Sequence, residues 1–331
     1  ELFNPPSAGQ PTFSTETAAD YFSKLYCDKS RSEVYQAPPG WVRPPKPTKL
    51  QFNLQPPTLE QLQDAVKKKR NKNAPGINSI PFLVYKKCPK LLEYLLQIFE
   101  RVWTSGKIPK SWQCAIVTLI SKSSCLDDPG EFRPIALLNA EGRLFFTLMQ
   151  WRLSDYMVEN GYIKSRIQKG FMKDVAGCIE HSETMYQMLR DAKDSRNSAC
   201  VCWIDLANAY GSVKHSLFQF ALEWYHVPDH FCGIIHAYYE GLMAAIMVGS
   251  DVTPWFRFSI GVFQGCTAST ILFNVAFNTC FAHLEQHREE CGYQFKSAPV
   301  TLLTTGYADD LGIATRPTKG VTATANNQRV V

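Results

Sequence analysis

Thr301-Leu302-Leu303-Thr304-Thr305-Gly306-Tyr307-Ala308-Asp309-Asp310-Leu311-Gly312-Ile313-Ala314 is the stretch on which the fold turns. Apolar and β-branched residues flank a short polar step, the pattern of a β-hairpin. Asp309 and Asp310 fall at its tip, where two carboxylates repel each other. A lone Asp-Asp pair is more often a solvated turn. A shared divalent cation is the other explanation, and it requires a third carboxylate and a nucleotide pocket elsewhere in the chain.

Residues 199–205 supply a candidate. Ala-Cys-Val-Cys-Trp-Ile is almost continuously apolar, which predicts a buried central strand, and it ends on Asp205. A charge there is costly unless paired or bound to metal; a helix N-cap or a strand-end ion pair would also account for it. Asp205, Asp309 and Asp310 together make an all-oxygen donor set, suited to Mg²⁺ or Mn²⁺ rather than zinc. Two Mg²⁺ ions at such a site could activate a 3′-hydroxyl and stabilise a leaving pyrophosphate. His283, His287 and Cys291 repeat along one helical face, but without a fourth ligand they read as a polar face rather than a zinc site.

The chain has 331 residues, 45% of them hydrophobic, enough for a sizeable core and more than one subdomain. Its net charge of +5 is compatible with nucleic acid without being diagnostic of it. Eleven cysteines without regular spacing suit reduced thiols and an intracellular protein. No apolar run approaches transmembrane length, so no membrane partner is expected. The sequence opens on Glu1, which reads as a piece of a longer polyprotein or a processed chain.

Residues 1–57 hold half of the twenty prolines and read as an N-terminal extension, interrupted by one helix near 17–27 that docks on the following segment. Thr58-Leu59-Glu60-Gln61 is a capping-box signature. The helix it starts runs into Lys67-Lys68-Lys69-Arg70, followed by Lys72. These cations suit either a helix C-terminus or contact with nucleic-acid phosphates. Helices are expected at 89–105, 140–160, 174–192, 214–225, 229–243 and 267–288, and strands at 113–120, 199–205, 244–249 and 255–260. Helices packed on an antiparallel sheet give an α+β fold. Gln264-Gly265 opens a turn before a helix; glycine allows close backbone approach to a nucleotide and glutamine can donate to it, although an ordinary turn has the same appearance.

Six blocks in order resemble the reverse transcriptases of non-LTR retrotransposons. They are Asn73-Ala74-Pro75-Gly76-Ile77-Asn78-Ser79-Ile80-Pro81; Leu119-Ile120-Ser121-Lys122 with Phe132-Arg133-Pro134-Ile135-Ala136-Leu137-Leu138-Asn139; Gln168-Lys169-Gly170-Phe171; the Asp205 segment; residues 261–274 around Gln264-Gly265; and Tyr307-Ala308-Asp309-Asp310. The resemblance covers about residues 58–315. It departs from the family at Tyr210-Gly211, where Phe-Asp is frequent, and at Ser121, where proline is common.

The resemblance implies right-hand polymerase architecture: an extension at 1–57, fingers at 58–198, and a palm at 199–331 whose antiparallel sheet is packed by helices. It implies an RNA-directed DNA polymerase adding dNTPs to a primer 3′-end by two-metal chemistry. Asp205, Asp309 and Asp310 would be catalytic metal ligands. Lys122 and Arg133 would meet the triphosphate, and Tyr210 would lie under the sugar and exclude a 2′-hydroxyl. RNA template, DNA primer, and the endonuclease and thumb regions of a parent polyprotein would be partners, in the nucleus. The sequence ends soon after Asp310, so the palm is expected to be truncated, the thumb absent, and processive synthesis by this chain alone weak. The alternatives are a nucleic-acid-binding fragment without catalysis, or an RNA-dependent RNA polymerase.

Overall fold

A computed structural model describes residues 9–316, apart from 32, 72, 173, 174 and 176. Lys72, the expected helix start at Asp174, the first prolines and the last fifteen residues therefore lie outside the described residues.

Helix α1 (Thr15–Leu25) is capped by Ser14, whose hydroxyl accepts from the Thr17 amide. The capping box of α2 (Leu59–Lys68) forms as the sequence predicts, with Thr58 and Gln61 bonding reciprocally. Then come α3 (Phe82–Lys87), α4 (Pro89–Ser105), which stops at Gly106 with φ 68°, and the short α5 (Lys110–Gln113). Strand β1 (Cys114–Ser121) and β2 (Phe132–Leu137) pair antiparallel. Two long helices follow, α6 (Ala140–Glu159) and α7 (Ile179–Asp194).

After these the chain runs through β3 (Cys200–Ile204), α8 (Ala209–Ser212), α9 (His215–Trp224) and α10 (Asp229–Glu240). Strands β4 (Met243–Val248), β5 (Asp251–Val252) and β6 (Phe256–Arg257) lead to α11 (Thr267–Gln286) and α12 (Arg288–Cys291). The chain closes with β7 (Tyr293–Gln294), β8 (Thr301–Leu302), β9 (Thr304–Tyr307) and β10 (Asp310–Thr315).

The architecture is α+β. One sheet has the order β2-β1-β4-β5, with β6 also on β4; β1 and β4 run parallel, so a strand from before residue 199 and one from after it share a sheet. The second sheet is antiparallel, in the order β3-β10-β9. Helix α1 packs against β4, and just past its end the Tyr26 ring lies 4.3 Å from that of Phe258 in a tilted pair, while the Ser259 hydroxyl donates to the Tyr26 carbonyl.

Expectation and structure part at β3. The apolar run at 199–205 predicts a central strand, yet β3 is the edge of its sheet, pairing β10 alone among the described residues. Its residues are half-buried apart from Trp203, which is exposed, so the strand is less buried than its apolar run predicts. Val201 packs with Met185 and Met188, while Cys202 and Ile204 pack with Phe281 and Leu284. Packing against helices and neighbouring strands accounts for the apolar Val201, Cys202 and Ile204 without a second paired edge, while Trp203 faces outward.

Helices α6 and α11 hold the core. Both are buried on almost every side, as their lack of a polar stripe requires. Phe145 and Phe146 of α6 join Phe99, Trp112 and Tyr238 in a continuous aromatic cluster. Truncating a ring such as Phe146, which is fully buried, would cost about 3–5 kcal/mol.

Candidate active site

Strands β9 and β10 meet in a two-residue turn: Tyr307 pairs with Asp310, leaving Ala308 and Asp309 at the tip. Ala308 is buried and left-handed, φ 57°, which is unusual for a residue with a side chain. Asp310 is exposed and Asp309 half-buried. Leu311 pairs with Ile204, so the register carries Asp310 opposite Asp205, just beyond the end of β3. Residues opposite one another in an antiparallel pair project from the same face. Burial pushes the Asp309 carboxyl above its ordinary value, and the charges of Asp310 and Asp205 add to that rise.

A pocket of about 550 Å³ opens beside this hairpin, and its walls include Asp205, Asp309, Tyr210, Gln264, Lys122 and Arg133. The basic pair follows from strand geometry. Arg133 lies opposite Ile120 on the β1–β2 ribbon, and Lys122 follows directly after β1, its amide donating to the Glu131 carbonyl at 2.8 Å. Lys122 donates to the Gly130 carbonyl at 2.8 Å, and Arg133 is exposed.

Tyr210 begins in α8 and packs its ring 4.5 Å from that of Phe273 on α11. Its buried hydroxyl has no hydrogen-bond partner. Burial raises its pKa, with Asp309 and Asp310 adding to the shift. Gln264 precedes Gly265, whose φ is 130° and where a Cβ would lie 2.4 Å from the Ala136 carbonyl oxygen. Gly265 and Asp310 shape the site from outside the pocket wall.

The donor chemistry suits a divalent cation. The charges of Asp205 and Asp310 disfavour ionisation of Asp309, an arrangement that a hard cation relieves. Among the described residues no three His, Cys, Asp or Glu side chains form a ready-made metal-binding group. Mg²⁺ needs no such cage, since it takes one or two carboxylates and completes its shell with water and substrate phosphate. His283 of the sequence's second candidate face stacks on Trp41 instead.

Other parts of the site were not legible as such. Tyr21, Phe22, Leu25 and Tyr26 of α1 line the same pocket, although their spacing indicated only an amphipathic docking helix. Gln168 is fully buried and bonds to both sides of the Ala308 peptide, though its sequence block carried no role. The basic run after α2 divides. Lys69 turns inward to Thr147, with its pKa pushed down to about 8 by burial, and Lys68 lies 4.4 Å from the centre of the Trp151 ring. Lys67 and Arg70 are exposed.

A carboxylate-tipped hairpin thus stands beside a pocket with a basic wall and an aromatic floor. The model of the family described as reverse transcriptase (RNA-dependent DNA polymerase) matches residues 120–327, and the chain belongs to that family. Relatives agree. A probable RNA-directed DNA polymerase from transposon BS of Drosophila melanogaster is 24% identical across 69% of this chain and 25% of its own length. The RNA-directed DNA polymerase from mobile element jockey of Drosophila funebris is 25% identical across 84% of this chain and 29% of its own. A Pol polyprotein from the type-1 element R2 of Nasonia vitripennis is 23% identical across 70% and 22%. The chain thus spans about a quarter of the length of these curated relatives. No helix among the described residues is long and apolar enough to cross a membrane.

Proposed function

We propose that this chain is the fingers (58–198) and palm (199–331) portion of a non-LTR retrotransposon RNA-directed DNA polymerase, extending a DNA primer with dNTPs on an RNA template inside the nucleus. The observation that carries this reading is the single pocket in which Lys122, Arg133, Tyr210, Gln264, Asp205 and Asp309 converge. Arg133 offers a planar fork to phosphate and Lys122 a compact charge, so together they hold a triphosphate with its reacting end toward the hairpin. The Tyr210 ring supports the sugar and excludes a 2′-hydroxyl. Asp205, Asp309 and Asp310 hold Mg²⁺, for which Mn²⁺ can substitute. Bound there, the metal supplies activation of the primer hydroxyl and charge neutralisation of the departing pyrophosphate.

In this reading a thumb and an endonuclease belong to other regions of a parent polyprotein. Primer extension by the parent protein on an RNA template, with Asp309→Asn as the control, tests the assignment. Extension that survives Asp309→Asn rejects it. RNA binding without any extension by the unaltered protein would assign the chain to nucleic-acid binding alone, and equal use of ribonucleotides would assign it to RNA synthesis.

A further inference from the structure

Gln168 meets the carboxylate hairpin at its one left-handed residue. Its side-chain Nε2 donates to the Ala308 carbonyl at 2.9 Å, and its Oε1 accepts from the Ala308 amide at 2.8 Å. The same Oε1 accepts from the Gly170 amide at 2.8 Å. The side-chain amide thus satisfies both polar groups of a residue whose position at the turn removes it from the β9–β10 ladder. Gln168 is fully buried, so water does not compete for these bonds.

The surroundings fix Gln168 in turn. The Gly306 amide donates to the Ile167 carbonyl at 2.7 Å, and the Lys169 amide donates to the Gly306 carbonyl at 3.0 Å, which seats residues 167–169 along β9. Asn274 of α11, itself buried, donates to the Gly170 carbonyl at 2.8 Å. At Gly170 a Cβ would lie 2.2 Å from the Ala308 nitrogen, so only glycine allows this approach. One connected path therefore runs from α11 through Gly170 and Gln168 to the peptide preceding Asp309.

We propose that Gln168 is a positioning residue: its amide clamps the left-handed Ala308 peptide and thereby sets the reach of Asp309 and Asp310 toward metal and primer. This rests on the polymerase reading above. A side chain without function at the hairpin would need only one of the two bonds to avoid an unsatisfied group. The paired bonds instead hold the two peptide planes that flank the Ala308 Cα, and so its φ and ψ, and the orientation of Asp309 follows from the second of those planes.

The test uses the parent protein with Gln168→Met, Gln168→Glu, and Gln168→Met combined with Ala308→Gly. Glutamate keeps the acceptor and loses the donor to the Ala308 carbonyl; glycine at 308 adopts positive φ without a clamp. Carboxylate misplacement predicts a kcat loss of roughly 10²-fold for Gln168→Met, a dNTP KM within about threefold of wild type, and a smaller loss for Gln168→Glu. Terbium luminescence, read without substrate, should show weakened binding at the carboxylates in step with kcat, and Ala308→Gly should restore part of both.

Wild-type kcat and terbium affinity in a folded Gln168→Met protein would overturn the proposal. Losses that follow the melting temperature alone, without recovery from Ala308→Gly, would overturn it as well. An unaltered parent protein that extends no primer refutes the polymerase reading instead, while the terbium comparison still judges the clamp.

Discussion

The Ala136 amide donates to the Gln264 carbonyl at 2.7 Å, which makes the strand carrying Arg133 and the turn carrying Gly265 one hydrogen-bonded unit. The Ala136 carbonyl also lies where a side chain at residue 265 would have to go. Gly265→Ala must therefore push β2 and the turn apart, and it places alanine at a φ of 130°. The expected result is a rise in dNTP KM of roughly tenfold, equal to about 1.4 kcal/mol of lost binding, from a displaced pocket wall. Single-nucleotide extension kinetics check this; an unchanged KM would mean that the β2–turn unit does not shape the nucleotide pocket.

Asp205 and Asp310 face each other across the end of the β3–β10 ladder, with Asp309 at the adjoining turn. Converting either Asp205 or Asp309 to Asn keeps size and removes one charge from the set. Each should lower kcat by roughly 10³-fold, about 4 kcal/mol of transition-state stabilisation, with a much smaller change in RNA affinity. Because removing a like charge relieves repulsion, neither change should lower the melting temperature. Rapid-quench kinetics beside thermal melts separate loss of chemistry from loss of fold.

The Tyr210 ring rests on Phe273, while its hydroxyl is buried without a partner. The two parts of the side chain therefore have separable roles. Tyr210→Phe removes only an unsatisfied group and should leave discrimination between dNTPs and rNTPs intact. Tyr210→Ala removes the ring and should reduce that discrimination by roughly 10²-fold, as expected when steric exclusion of one hydroxyl is lost. Competition between dCTP and CTP on one template measures the ratio for both variants.

The sequence made some of this legible because the signals were local. The Thr58 capping box depends on residues within a few positions and forms as expected, and the hairpin forms as well, but with Ala308 and Asp309 at its tip and Asp310 already in β10. Gln168 escaped because its partner Ala308 is 140 residues away and a buried glutamine has no periodic signature. The strand β2 was obscured by Pro134, which breaks the usual strand composition yet fits an edge position. At β3 the apolar run disclosed a strand but neither its edge position nor its partial exposure, since Trp203 faces outward. For α1, the spacing of Tyr21, Phe22, Leu25 and Tyr26 disclosed an amphipathic helix, while the pocket it borders is assembled from segments far away in sequence, from Lys122 to Asp309.

That border gives α1 a testable role. Tyr21 lies against the 129–131 turn, where a Cβ on Gly130 would come 3.2 Å from its hydroxyl, and burial raises its pKa with Asp128 adding to the rise. The turn contains the carbonyl that holds Lys122. Tyr21→Ala should loosen the turn and raise dNTP KM by roughly threefold to tenfold with kcat little changed, the signature of lost ground-state binding. An unchanged KM would show that α1 borders the pocket without affecting its occupant.

Asp191 offers a prediction about the fold rather than the chemistry. From the end of α7 its carboxylate accepts from the Ser297 amide at 2.8 Å, the Lys296 amide at 2.9 Å and the Tyr293 hydroxyl at 2.8 Å. Hydrogen bonding from Ser297, then from Lys296, with Tyr293 contributing, holds its carboxyl far below the usual range despite the opposing effect of burial. A depressed folded-state pKa contributes stability that is fully present above the unfolded value of about 4 and is lost as pH falls from there toward the folded value. Asp191→Asn should therefore unfold at lower urea concentration than wild type at pH 7, since an amide can accept fewer of these bonds. Below about pH 4 the gap should narrow, because wild type progressively loses the advantage of its charge. Urea midpoints for both proteins from pH 7 down to pH 3 test this. A gap independent of pH would mean that the shape of the side chain, and not its ionisation, fastens residues 293–297 to α7.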